Sequence, residues 1–406
     1  MSPTPDGLRV LYSFPHRIGA GRICYTAWEQ VRGLVDAGAV VLAHPASVER
    51  ALPPQAEVRT TLTWGSLRLP FRAVGQMRAL SLHDRIVAGR LPRLADEVDI
   101  VHTWPLGARR TLETAARLGI PTVLERPNAH TRFAYETVQA ECERLGIELP
   151  PDHEHAYNEE VLRVEEEEYE LADALLCPSD FVVKTFLDEG VPPEKLVRHV
   201  YGFDERAFFP DDERRESAPG LTVLFVGVAA VRKGLHFALE AWLRSPASDE
   251  GTFLIAGDML PAYETILAAQ LAHPSVRVLG HRDDVAELMR AADVLVLPSI
   301  EEGFGLVCTE ALGSGCVPLV SDACTDVCCH GENALVHRVG DVDALEEHLT
   351  LVHRDPALLE SLRAGCLRTA PDLTWTAAGR RLADVYGEVL ERTGRRRPVG
   401  VAAADE

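Results

Sequence analysis

Short apolar runs alternate along the chain with segments whose apolar positions recur every three or four residues. The runs at 8–14 (LRVLYSF), 39–44 (AVVLAH), 99–104 (DIVHTW), 122–127 (TVLERP) and 174–179 (ALLCPS) predict strands. Segments between them, such as 19–38 (GAGRICYTAWEQVRGLVDAG) and 107–119 (GARRTLETAARLG), predict amphipathic helices. In 164–181 (VEEEEYELADALLCPSDF) the four glutamates read as a solvated helix face, and Ser179 as the cap of the next helix. The pattern breaks at 203–222 (FDERAFFPDDERRESAPGLT), a charged stretch with two prolines that reads as an interdomain linker.

After the break the alternation restarts. Strands are predicted at 221–228, 251–257, 276–280, 293–299, 317–322 and 334–338, with helices at 235–245, 283–292 and 305–315. The segment 375–394 reads as a closing helix and 395–406 (RRRPVGVAAADE) as frayed. The expected organisation is a Rossmann-like first domain (1–205), a linker (206–221), a second domain (222–374), a helix crossing back to the first domain (375–392) and a flexible tail (393–406). This is an α/β chain of two doubly wound domains, with the carboxyl ends of two parallel sheets facing one cleft.

Length agrees, since 406 residues exceed what a single core usually organises. The net charge of −21 argues against general nucleic-acid binding. Charge is uneven, however. Residues 59–93 carry seven arginines and a single acid, Asp84, which suits a solvated basic face or a surface for an anionic acceptor or membrane headgroup. Nine cysteines without paired spacing read as free thiols, including those of 324–330 (CTDVCCH), rather than as a zinc site. No apolar run is long enough to span a membrane. The opening residues lack the basic and apolar regions of a secretory signal, so a cytoplasmic location is expected, with peripheral contact at the inner membrane surface through 59–93. Lysine is rare: only Lys184, Lys195 and Lys233 stand against 38 arginines.

The candidate chemistry lies in 301–318, EEGFGLVCTEALGSGCVP. A buried strand ends at Ser299, a loop follows, and a helix starts near Leu306 and closes at Gly315. The N–H groups of Gly303, Phe304, Gly305 and Leu306 are predicted to point into the cleft as a phosphate site. Glu302 and Glu310 flank them, and a carboxylate suits vicinal hydroxyls: one for a sugar, the other for a ribose. In the first strand–helix turn of the second domain, Gly227 is followed by Arg232-Lys233-Gly234. Those two cations are expected to face the same phosphates.

These blocks, with YGFDERAFFP at the linker and VRVLGHRDDVAELMRAADVLVLPS, resemble the retaining GT-B glycosyltransferases of family four. The resemblance covers roughly residues 8–390. It implies that Glu302 binds donor sugar hydroxyls, Glu310 the ribose, and Arg232 and Lys233 the diphosphate. It further implies that Gly19 or Gly21 approaches the phosphates, that His130 (ERPNAHT) lies near the reacting sugar, and that backbone at His281 and Arg282 meets the base. Val228 departs from the pattern, because the family often has arginine there. The implied activity is transfer from a nucleotide diphosphate sugar to a hydroxyl acceptor with retention. The basic segment 59–93 leaves room for an acceptor that is anionic or lipid-linked, and Arg232, Lys233 and the helix dipole are expected to replace a metal, with no cofactor. The chain lacks an Asp-x-Asp motif at a strand end. The alternative is a non-catalytic sugar-nucleotide-binding protein of the same fold. A two-domain exported binding protein would need a signal, and a nucleotide-sugar epimerase an early G-x-x-G-x-x-G and a Tyr-x-x-x-Lys; neither motif is present.

Overall fold

The computed structural model describes residues 7–65, 67–69, 71–211 and 220–394. The predicted frayed tail 395–406 and the linker residues 212–219 lie outside them. The strands Arg9–Ile18, Val40–Val48, Glu57–Val58, Ile100–Thr103, Thr122–Glu125, Ala174–Cys177 and Leu196–Arg198 form one parallel sheet. Counted along the chain, their spatial order is 3-2-1-4-5-6-7. The strands Thr222–Val226, Thr252–Ala256, Val276–Gly280, Val294–Leu297, Val317–Ser321 and Leu335–His337 form a second parallel sheet in the order 3-2-1-4-5-6. That is the doubly wound order, with its reversal beside the first strand. Strands flanked by helices on both faces, such as Ala174–Cys177 and Val294–Leu297, are buried at every position.

One predicted surface turns out otherwise and a second is altered in part. The glutamate run is not a solvated face, because Glu165 and Glu168 are buried where the helix Glu159–Leu171 packs on its neighbours. Glu165 pairs with buried Arg126 at 3.2 Å, and Glu168 accepts the N–H groups of Leu106 and Ala108 at 2.7 and 2.9 Å. The basic segment is also divided. Arg59 is taken by Glu57, and Arg90 donates to the carbonyls of Arg59 and Thr60. Ser179 does cap its helix, through the Val182 N–H at 3.2 Å. The cysteines are free thiols; Cys324 and Cys328 are buried and Cys329 is exposed.

The domains are joined at a narrow crossing. The Phe203 N–H donates to the Leu373 carbonyl at 2.9 Å, and the Trp375 N–H returns to Phe203 at 3.2 Å. A Cβ on Gly202 would fall 2.5 Å from the Trp375 nitrogen, so only glycine allows the approach. The closing helix Trp375–Thr393 then lies against the first helix, Ile23–Asp36. Gly33 and Gly379 meet at that crossing, where a Cβ on Gly33 would come within 2.7 Å of Gly379 Cα. Leu382, Ala383, Tyr386 and Val389 enter the same apolar cluster as Val10, Tyr12 and Val31. In return, Val138 and Cys142 of the first-domain helix Thr131–Leu145 join the core of the second domain.

Candidate active site

The two loops predicted to hold the chemistry are pinned to each other. Val231–Lys233 make a single helical turn, ended by Gly234 at φ +67°. A Cβ there would lie 2.0 Å from the Pro298 carbonyl oxygen, and the Ile300 N–H donates to the Arg232 carbonyl at 2.8 Å. Glycine thus lets the cationic turn settle directly on the acidic loop.

The result is a compact ion cluster. Lys233 Nζ bonds Glu302 Oε2, and Arg232 Nη1 stands 3.5 Å from the same oxygen. The Ser299 hydroxyl is 3.4 Å from it. Glu302 is only 7 % exposed. Burial opposes its ionisation, but Lys233 and Arg232 outweigh burial and hold the carboxyl down at about 2. The sequence placed both cations opposite phosphates; in the structure their partners are carboxylates.

Glu301, which the sequence reading passed over, belongs to the cluster as well. It is 1 % exposed, with Oε2 3.7 Å from Arg232 Nη1 and 3.2 Å from His155 Nε2. Burial raises its proton affinity, and the bonds to His155 and Arg232 more than reverse that. His155 comes from the first domain, so this contact clasps the two domains beside the cluster. The adjacent acids at the end of a buried strand were the available signal for Glu301. His155 gave none, lying in an irregular segment with no periodicity.

Gly303, Phe304 and Gly305 depart from their predicted roles in part. A Cβ on Gly303 would lie 1.6 Å from the Pro127 carbonyl oxygen of the first domain. Its own carbonyl accepts the Ser179 hydroxyl at 2.7 Å. The Phe304 side chain is not a donor contact, being 2 % exposed and packed on Tyr201, Trp375 and Ala378 at the crossing. Gly305, at φ +70°, turns the chain into the helix Leu306–Ser314, which Gly315 ends as predicted. Among the described residues no backbone or side-chain group accepts from the N–H groups of Gly303 to Leu306.

Glu310 sits half-buried on that helix, with no hydrogen bond or ion pair to a described residue, and burial pushes its carboxyl up to about 7. Gly227, at φ +133°, lies against the Lys233 stem; Val228 is exposed. His281 and Arg282 follow the strand Val276–Gly280, with their side chains turned to Asp283 and Asp284. Gly19 does not stand open to a ligand: its φ is +81° and a Cβ would strike the Arg50 backbone at 2.9 Å, whereas Gly21 has open space around it. His130 is first of all a helix cap. Its Nδ1 accepts the Arg132 N–H at 3.3 Å, and its ring packs edge-on against Tyr169 and Phe186. At 3 % exposure, burial and then the positive charges of Arg126 and Arg132 lower its pKa to about 3. The ring is therefore neutral at pH 7, with its proton on Nε2.

Two parallel-sheet domains, a cleft between their carboxyl edges and a helix returning to the first domain define the GT-B fold. The solved sucrose-phosphate synthase of Thermosynechococcus elongatus superposes with a TM-score of 0.69 at 18 % identity, over 95 % of this chain and all of that one. Anabaena HepE in complex with UDP gives a TM-score of 0.64 at 17 % identity, over 94 % and 100 %. Residues 220–355, which contain the ion cluster's Arg232, Lys233, Glu301 and Glu302, match the family glycosyl transferases group 1. The D-inositol 3-phosphate glycosyltransferase of Thermobispora bispora is 34 % identical over 146 residues, 34 % of either chain. The N-acetyl-alpha-D-glucosaminyl L-malate synthase of Bacillus anthracis is 29 % identical over 182 residues, 42 % of this chain and 48 % of that one. The matched stretch thus spans a third to a half of these relatives.

Proposed function

We propose that the protein transfers a sugar from a nucleotide diphosphate sugar to a hydroxyl acceptor, retaining the anomeric configuration and using no metal ion. The observation that carries this reading is the juxtaposition of Arg232, Lys233 and Glu302 on the two pinned loops of the group 1 domain. A diphosphate oxygen competes with the Glu302 carboxylate for the same two cations. Its entry frees the carboxylate for sugar hydroxyls next to the leaving group. As the bond to the sugar breaks, charge grows on the diphosphate, and the fixed cations stabilise it more than they stabilise the ground state. With that charge met by Arg232 and Lys233, a divalent ion has no necessary part. His130 offers an Nε2–H as a hydroxyl anchor, not a base. Retention follows from the resemblance of the E-x7-E block to retaining enzymes.

A panel of nucleotide sugars screened by thermal shift, followed by release of nucleoside diphosphate, tests the reading. A donor at 100 times its dissociation constant stabilises by about 2.7 kcal/mol. If none of the panel stabilises the chain, the reading falls. If one binds and neither hydrolysis nor transfer follows, the chain is a non-catalytic binder.

Glu310 supplies a second check. A ribose hydroxyl donates to the ionised carboxylate and favours it. Nucleotide binding at pH 6, below the value of about 7 for Glu310, should therefore release a proton. Calorimetry in two buffers of different ionisation enthalpy reads the release, and Glu310→Gln should abolish it. The folded-state pKa is raised, so ionised Glu310 destabilises the fold. The same substitution should raise the melting temperature at pH 8 and change it little at pH 4. Proton release that persists in Glu310→Gln would assign the linkage to another group.

A further inference from the structure

A second charged cavity lies wholly within the first domain. Its volume is about 440 Å³, in the range of small-ligand sites. Three helices line it: Gln76–Leu94, Arg109–Leu118 and Glu159–Leu171. They contribute five arginines, namely Arg78, Arg85, Arg109, Arg110 and Arg163. The cavity reaches Leu106, just beyond the strand Ile100–Thr103. That is the carboxyl edge of the first sheet, where open α/β sheets bind ligands.

The three acids of the cavity offset this charge only in part: Glu160 is exposed, Asp84 attracts Arg110, and Asp84 and Glu168 are otherwise taken by hydrogen bonds. Asp84 is buried and accepts the Arg110 N–H at 2.8 Å, the Thr111 N–H at 2.9 Å and the Thr111 hydroxyl at 2.8 Å. Glu168 is committed to backbone N–H groups in the same way, and burial pushes it up to about 8. Both carboxyls are thus spent on the start of the helix Arg109–Leu118. Glu167 takes Arg109 and Arg163. No hydrogen bond or ion pair joins the guanidinium of Arg78, Arg85 or Arg110 to a described residue. Arg110 moreover stands in the first turn of its helix, the end where the dipole disfavours a cation. In a chain of net charge −21, this local concentration of arginine suits an anion.

We propose that this cavity binds the phosphoryl group of the acceptor. A guanidinium fork matches phosphoryl oxygens two at a time, and the three uncommitted forks come from two different helices. That the phosphoryl group belongs to the acceptor rests on the proposed transfer reaction; that the cavity takes a phosphoryl oxyanion rests on the arginines. The source is either a soluble phosphorylated acceptor or a lipid headgroup.

Titration of inorganic phosphate into the full chain by calorimetry tests the site. The dissociation constant should rise at least about tenfold in Arg85→Gln/Arg110→Gln, the loss expected from charge-assisted bonds. The exposed single change Arg85→Gln serves if the double variant does not fold. Phosphate binding unaltered in these variants, or lost in Lys233→Ala instead, would overturn the proposal. Sedimentation with vesicles of phosphatidylcholine, alone or mixed with phosphatidylglycerol, separates the sources. Arginine-dependent binding to the mixed vesicles assigns a headgroup. Arginine-dependent phosphate binding without vesicle binding assigns a soluble acceptor. Absence of both overturns the proposal. Nucleoside diphosphate binding, measured on the same preparations, reads the donor side by itself. Its failure with phosphate binding intact would sink the donor reading and leave the oxyanion site standing.

Discussion

Lys233→Ala is expected to lower kcat/KM by about 10²–10³-fold, the usual loss of one preorganised charge-stabilising donor. The ammonium is nearly enclosed, with its side chain 12 % exposed and its stem against Gly227. A compact point charge fits there. Lys233→Arg should restore only part of the rate, because the wider fork cannot occupy the same point. The structure adds a cost in stability. Without Lys233, buried Glu302 keeps Arg232 at 3.5 Å as its remaining cation, a loss of about 1–3 kcal/mol. The sign with pH follows from the depressed Glu302 pKa of about 2. The pair's stabilisation is fully present above the ordinary carboxylate range and is lost as pH falls toward 2. The melting temperatures of wild type and Lys233→Ala should therefore differ most near neutrality and converge on acidification. Undiminished activity of Lys233→Ala with a true donor and acceptor would show that the leaving group is stabilised elsewhere.

Gly303→Ala should cost about 10²-fold in kcat, although alanine adds a single methyl group. That methyl would lie 1.6 Å from the Pro127 carbonyl oxygen and 3.0 Å from Asn128 Cα. Backbone stands against backbone, so no rotamer relieves the clash. The loop that carries Glu302 must back away from the first domain, and a shift of about 1 Å is enough for a loss of this size. The N–H groups of Gly303 to Leu306, assigned to the donor phosphates, move with that loop, so KM for the donor should rise as well. Ser179→Ala, which removes the 2.7 Å bond to the Gly303 carbonyl and the cap on the Val182 N–H but adds no clash, should be milder. Steady-state kinetics on the three proteins decide the matter: wild-type kcat in Gly303→Ala would mean that this contact does not hold the catalytic geometry.

What could be read from sequence divides along physical lines. Val294–Leu297 and Ala174–Cys177 were legible because burial on both faces leaves a continuous apolar run. Gly315 was legible because a left-handed helix end selects glycine locally. Glu57–Val58 and Leu196–Arg198 are two and three residues long, too short for any period to show. Gly-Phe-Gly was recognised as a turn before a helix, but the direction of Phe304 depends on Tyr201 and Trp375, which only the folded chain brings near. The same holds for Glu165 and Glu168, acids whose burial is set by partners on other elements. Arg232, Lys233 and Glu302 were each named from local pattern. Their mutual pairing, and the arrival of His155 at Glu301, are facts of tertiary structure.

The helix that crosses back has a bearing on how the protein is made. Leu382, Ala383, Tyr386 and Val389 complete the apolar cluster of the first domain. Ribosomes deliver residues from the amino end, so the strand Leu196–Arg198 and everything before it emerges while that wall is still missing. At about 5–20 residues per second, the interval between Arg198 and Val389 lasts roughly 10–40 seconds. Throughout it, the nascent first domain lacks the cover that the closing helix gives to Gly33 and His102. Folding of the half made first thus waits on the half made last, and for that interval the newborn chain offers chaperones, and sister chains on the same message, an adhesive flank.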